Sequence, residues 1–226
     1  MAAEKPEGKA PSCLPKNSPG GILRGLYAIT DENLISEKNF GHNIELALQG
    51  GAKIIQYRDK SKNPTKRKQQ AEVVCSLCRQ YDAISIINDD IKLAQVVNAD
   101  GVHLGKGDAA LSEARQVLGK NAIIGISCYN DINLAISAQD NNADYVAFGA
   151  MFFSPTKPEA ITATLALISE AKQRLSIPVC AIGGITENNI LQLIQQGVDM
   201  TAVISGLFAS DDIRKTADTL NQHFQS

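Results

Sequence analysis

From Leu26 onward, short runs of β-branched residues alternate with longer stretches whose apolar positions recur at helical spacing. The predicted strands are 26–30, 53–57, 84–88, 101–104, 123–127, 145–149, 179–183 and 201–205. Helical patterns follow each one, over roughly 42–50, 64–81, 90–98, 109–118, 131–141, 161–175, 187–196 and 210–224. The strands are apolar at nearly every position, as expected of a parallel sheet covered by helices on its outer face. Eight βα units of ordinary crossover length predict a single (β/α)8 TIM barrel over residues 23–226. An open doubly wound sheet is the alternative, but it needs a topological switch and usually fewer strands.

Four junctions echo one another: "GGAKIIQY", "NADGVHL", "NADYVAF" and "GVDMTAV". Each joins a helix end to a strand start. Gly or Asn there suits a left-handed C-cap. Residues 1–22, rich in Pro, Gly, Lys and Ser, read as a flexible tail without the apolar segment of a signal peptide. A cytoplasmic location is the expectation. No apolar run approaches the roughly 18 residues of a membrane span.

Composition changes this picture little. With 44% hydrophobic and 20% charged residues, the chain has ordinary globular composition. A net charge of −2 carries no general affinity for nucleic acid or an anionic membrane surface. Five scattered cysteines do not form a disulfide framework. Cys75 and Cys78 form a CxxC, yet they extend the stripe Ala71, Val74 at helical spacing. They are expected to be buried as small apolar residues rather than to bind metal.

In a barrel of this kind the active site lies at the C-terminal ends of the strands. There, "IIQYRDK" at 54–60 places Gln56, Arg58 and Lys60 at every second position, on one face of the strand end. Burying cations without partners is costly, so something anionic is expected opposite them. The other strand ends supply Thr30 and Asp31, then Asn88, Asp89 and Asp90. Asp108 follows strand 4, and Ser127, Cys128 and Tyr129 follow strand 5. Ser154, Thr156 and Lys157 follow strand 6, Gly183 and Gly184 strand 7, and Ser205 and Gly206 strand 8.

The set divides into a cationic group, a carboxylate group on strands 3 and 4, and donor-rich turns after strands 6 to 8. Each member has a plainer reading. Asp89, Asp90 or Asp108 would serve as helix caps, the glycines as a tight turn, and Arg58 and Lys60 as partners of surface carboxylates. Convergence at one barrel mouth favours a ligand. A diphosphate carrying Mg2+ would join cations to carboxylates. A second phosphate would sit in the cup formed after strands 7 and 8. Two anionic sites suggest transfer between two phosphorylated substrates.

The motifs "QYRDK", "INDD", "GVHLGKGD", "GIS", "SPTK", "IGGI" and "AVIS" occur in an order and spacing that resembles the thiamine phosphate synthase family, over residues 24–210. The resemblance implies a transferase in thiamine biosynthesis. Such an enzyme couples 4-amino-5-hydroxymethyl-2-methylpyrimidine diphosphate to a thiazole phosphate or its carboxylated form, releasing diphosphate. It implies a pyrimidine-diphosphate site of Gln56, Tyr57, Arg58, Asp59, Lys60, Asn88, Ser127 and Lys157. It implies Mg2+ on Asp89 and Asp108, and a thiazole-phosphate pocket of Ser154, Thr156, Gly184, Ile204 and Ser205. Arg58, Lys60, Lys157 and Ser127 are the residues it implies for catalysis, along a dissociative path at the pyrimidine methylene.

The chain departs from the family's usual residues at Lys106, Ala150, Ser154 and Met200. None of these removes a charged ligand, and Met200 is expected to concern packing. The nearest rival is a thiazole tautomerase paralogue, which carries a histidine where Tyr129 stands. A non-catalytic phosphate-binding barrel is another alternative. His103, within strand 4, is expected to be structural. The sequence leaves homo-oligomerisation open.

Overall fold

A computed structural model describes residues 23–105, 111–153 and 162–225. Eight parallel strands close into a barrel in sequence order, β1 pairing with both β2 and β8. They are β1 Gly25–Ile29, β2 Ile54–Tyr57, β3 Ile84–Asn88, β4 Gly101–Leu104, β5 Ile123–Tyr129, β6 Tyr145–Phe148, β7 Val179–Ile182 and β8 Met200–Val203. The helices are α1 Phe40–Gln49, α2 Pro64–Gln80, α3 Ile91–Val96, α4 Leu111–Leu118, α5 Ile132–Asp140, α6 Leu165–Arg174, α7 Ile190–Gln195, α8 Ser205–Phe208 and α9 Ile213–Gln222. The predicted (β/α)8 architecture is therefore present. No helix among the described residues is long and apolar enough to cross a membrane. The proposed tail, 1–22, lies outside the described residues, as do Lys106 and Asp108 on one segment and Ser154, Thr156 and Lys157 on another.

Strand alternation divides the apolar residues into two layers. Tyr27, Ile54, Ile86, Ile123, Tyr145, Cys180 and Met200 fill the barrel interior. Leu26, Ile55, Ile87, Val102, Ile124, Val146 and Val203 face outward into a larger core shared with the helices. The predicted stripe of α2 is what it buries: Ala71, Val74, Cys75 and Cys78. Burial also raises the pKa of both thiols, so they remain protonated small apolar groups. Met200 is fully enclosed in the interior layer, in keeping with a packing role.

The four junctions behave as one structural device. Gly51, Asn98, Asn142 and Gly197 all take positive φ, between 51° and 94°. In three of them the aspartate that follows reaches back to the start of the preceding strand. Asp100 accepts from Ser85 N, Asp144 from Ile124 N and Asp199 from Val179 N, at 2.7–2.9 Å. Arg115 holds Asp144 at 2.7 Å and Lys172 holds Asp199 at 2.6 Å. The repeated Asp thus satisfies N–H groups at the bottom of the barrel, where the ladder begins.

Most boundaries shift by one to four residues from the predicted ones, and two of the shifts bear on the loops after β7 and β8. Strand 8 was expected to run to Ser205, but it ends at Val203 and Ser205 opens α8. Ile204, at φ −114° and ψ −90°, leaves the extended region and redirects the chain. The seventh helix was expected from 187 but starts at Ile190. Asn189 explains the delay, because its side chain accepts from Thr186 N and donates to Gly184 O, holding the preceding loop as a compact turn.

Candidate active site

A cavity of about 1000 Å3 opens at the C-terminal ends of the strands. It is lined by Gln56, Arg58 and Lys60 from the second unit, Asn88 and Asp89 from the third, and Ser127 and Tyr129 from the fifth. Gly183 and Gly184 follow β7, and Ile204, Ser205 and Gly206 follow β8. Most of the sequence-derived set within the described residues therefore meets in one place.

Two members of the second-strand motif do not reach it. Tyr57 turns to the outer core, 2% exposed, with its ring edge-on to Phe40 and its hydroxyl donating to Gln70. Asp59 accepts from Ser61 N and pairs with Lys66 at 3.0 Å, beneath the loop rather than in the cavity. The alternation explains both: they occupy the odd positions between Gln56, Arg58 and Lys60. In this structure they act on the shape of the loop and touch nothing in the cavity. Burial opposes ionisation of Asp59, but the Ser61 and Lys66 hydrogen bonds outweigh it and hold its pKa below the usual value.

Nor is Arg58 unpaired, contrary to the expectation for cations on this strand end. Its guanidinium lies 3.4 Å from Asp31 and 4.0 Å from Glu32. Thr30 fixes its backbone, donating to Arg58 O and accepting from Arg58 N. The β1 loop thus supplies a carboxylate pair that positions Arg58 and offsets its charge while it still faces the cavity.

The three acidic candidates at the end of β3 and beyond β4 separate by role. Asp90 is the helix cap: it accepts from Leu93 N at 2.8 Å and pairs with Arg67 at 2.9 Å. Asp89, at φ 62°, lines the cavity instead and accepts from Asn88 Nδ2 at 2.6 Å. Asp108 is outside the described residues.

After β7, Gly183 and Gly184 take φ values of 103° and 64°. A Cβ at Gly184 would stand 2.6 Å from the carbonyl oxygens of Phe152 and Phe153. Only glycine allows this turn to pack against the strand 6 loop while keeping its backbone open to the cavity. At the end of β5 a bulge sets Ser127 opposite Ala147 and Tyr129 opposite Phe148. Ser127 and Tyr129 line the cavity, while Cys128 is buried in the outer core with its thiol pKa pushed up to about 12 by burial. Cys180, on the cavity wall, is also held protonated by burial.

Sequence reasoning missed the floor of the site. Tyr27 and His103 line the cavity and join Tyr145 beneath it. Gln56 Nε2 donates to Tyr27 at 2.7 Å, and the two tyrosine hydroxyls are 2.8 Å apart. Tyr145 lies 2.9 Å from His103 Nδ1, and His103 Nε2 lies 2.8 Å from Ser127 Oγ. His103, expected to be merely structural, thus contacts a candidate catalytic residue. The available signal was positional: Tyr27, His103 and Tyr145 are polar residues at inward-facing positions of otherwise apolar strands.

The chain is similar to known proteins over most of its length. The family described as Thiamine monophosphate synthase matches residues 26–207. The thiamine-phosphate synthase of Nitrosococcus oceani is 54% identical over 204 residues, covering 90% of this chain and 94% of that protein. The corresponding protein of Thioalkalivibrio sulfidiphilus is 49% identical, covering 91% and 98%. A solved thiamine phosphate pyrophosphorylase from Pyrococcus furiosus superposes with a TM-score of 0.83 at 33% identity, covering 90% of this chain and 96% of that one. With a family match spanning the barrel and identities of this size over nearly the whole of both partners, the chain belongs to the thiamine monophosphate synthase family.

Proposed function

We propose that the protein couples 4-amino-5-hydroxymethyl-2-methylpyrimidine diphosphate to a thiazole phosphate, giving thiamine phosphate and diphosphate, or to its carboxylated form, giving carbon dioxide as well. The observation that carries this reading is the shared cavity. Gln56, Arg58, Lys60, Asn88, Asp89 and Ser127 line one side, and Gly184, Ile204 and Ser205 another. A chain of this family with both halves of the site at one mouth can hold both substrates at once.

In this reading Arg58 and Lys60 bind the diphosphate, joined by Lys157 from the strand 6 loop. Gln56, Asn88 and Ser127 orient the pyrimidine diphosphate. Gly184, Ile204 and Ser205, with Ser154 and Thr156, hold the thiazole phosphate in the cup that this fold commonly uses for phosphate. The C–O bond at the pyrimidine methylene breaks with its electron pair leaving on the diphosphate. The thiazole nitrogen lone pair forms the new C–N bond. Cations preset around the departing oxygens stabilise the charge that develops there. Holding both partners in line contributes the rest without a protein nucleophile, which suits cysteines kept protonated by burial.

Among the described residues no group of three or more His, Cys, Asp or Glu side chains could hold a metal by itself. In this reading a magnesium ion would take one carboxylate at β3 and further oxygens from substrate phosphates. Asp89 is a hard oxygen donor on the cavity wall, near the candidate diphosphate-binding cations and oriented by Asn88. Asp108 would be its second carboxylate. When bound, the ion would supply charge neutralisation on diphosphate oxygens.

The test is direct. The full chain incubated with both substrates and Mg2+ is expected to produce thiamine phosphate and diphosphate in equal amounts. Absence of diphosphate release with both substrates present would overturn the reading.

A further inference from the structure

Five side chains form one hydrogen-bonded row through the barrel: Gln56, Tyr27, Tyr145, His103 and Ser127. Its two ends, Gln56 on β2 and Ser127 on β5, both line the cavity. Its middle is enclosed, with Tyr27 1% and Tyr145 0% exposed. Burial raises the pKa of both phenols, so each keeps its single proton. Gly125, paired with Tyr145 across β5 and β6, leaves the space this ring occupies. A Cβ there would lie 2.0 Å from Tyr145 Cζ.

A row of this kind has a direction, because each phenol donates once. Tyr27 Oη already accepts the Gln56 amide proton. Its own proton then goes to its other partner, Tyr145. Tyr145, having accepted, donates to His103 Nδ1. Nδ1 is therefore the bare nitrogen. The ring proton sits on Nε2 and is donated to Ser127 Oγ.

We propose that His103 is a positioning residue, held by Tyr145 and Tyr27 as the neutral Nε2–H tautomer, and that it makes Ser127 a hydrogen-bond donor toward the cavity. The same direction engages Gln56 Nε2 inward and leaves the Gln56 carbonyl as an acceptor at the other end. The two ends are thus of opposite kind and are set together. A ligand spanning them must bring an N–H to Gln56 and a lone pair to Ser127. An aminopyrimidine diphosphate has both, an exocyclic amine for the first and a ring nitrogen or phosphate oxygen for the second. That assignment of the ligand rests on the function proposed above; the tautomer itself does not.

The experiment reads the ring nitrogens of His103 in the full chain labelled with 15N-histidine, its signals being those lost in His103→Asn. The wild-type protein is expected to show a protonated Nε2 and a bare Nδ1. A protonated Nδ1 would overturn the proposal. Gln56→Glu replaces the amide donor with a carboxylate that only accepts when ionised. With that carboxylate ionised, as followed by its own 13C shift, the whole row should reverse and Nδ1 should gain a proton. A bare Nδ1 in that state would equally overturn it. If Gln56→Glu fails to fold or to ionise, the wild-type spectrum decides alone. No substrate is involved, so lack of thiamine phosphate formation would leave the tautomer standing. A reversed tautomer would likewise leave the proposed function standing.

Discussion

Tyr27 and Tyr145 meet hydroxyl to hydroxyl, 2.8 Å apart, from strands β1 and β6, which are not neighbours in the barrel. Their rings pack edge to face at a centroid separation of 6.1 Å. The contact crosses the interior and forms the floor on which the cavity rests. It also depends on an empty position: the Tyr145 ring lies where a side chain at Gly125 would be.

Gly125→Ala is accordingly expected to destabilise the fold. The new methyl cannot be accommodated without moving a fully buried ring, and overpacking of this kind costs ~1–3 kcal/mol. A lowered urea midpoint with an unchanged slope would bear this out. An unchanged midpoint would mean that Tyr145 has room to move.

Arg58→Ala and Asp89→Ala are each expected to cut thiamine phosphate formation by about 10²-fold or more, the scale of losing a preset electrostatic partner. Arg58→Lys should not restore full activity, because a lysine cannot reproduce the guanidinium fork toward Asp31 and a phosphate together. Steady-state rates with the urea midpoint measured alongside separate lost chemistry from lost folding. Wild-type rates in both alanine variants would remove this site from the mechanism.

Removal of divalent cations with EDTA is expected to abolish turnover, with recovery on adding back Mg2+. Undiminished turnover in a metal-free preparation would exclude a metal role for Asp89.

Asp59 gives a pH dependence of definite sign. Its folded pKa is held below the unfolded value, so its contribution to stability is present above roughly pH 4 and is lost as pH falls through the folded pKa. Asp59→Asn should therefore be less stable than wild type at pH 7, with the gap closing in acid. Urea midpoints measured from pH 7 down to the acid limit would show the two curves converging. Parallel curves would sink the assignment.

Asp144→Ala removes the acceptor shared by Ile124 N and Arg115. A buried N–H left without a partner costs about 1–3 kcal/mol. The loss should appear in thermal unfolding and leave the KM for both substrates unchanged, because Asp144 is at the opposite end of β5 and β6 from the cavity. A changed KM would imply coupling along the strands.

Much of this protein was legible in its sequence. Strand and helix periods, the count of eight units, the αL junction residues and the buried stripe of α2 all follow from local rules, because each depends on residues close together in the chain. The even-spaced Gln56, Arg58 and Lys60 pointed to the cavity for the same reason. Local rules did not separate Asp89 from Asp90, since both stand before a helix and only the turn at Asp89 decides which one caps. They placed Tyr57 and Asp59 with their motif although the strand's own alternation turns them away. The partnership of Arg58 with Asp31 and Glu32 was decided by the pairing of β1 with β2, and the row from Gln56 to Ser127 by closure of the barrel. Closure brings inward-facing side chains from β1, β2, β4, β5 and β6 within hydrogen-bond reach, and no spacing along the chain encodes that distance.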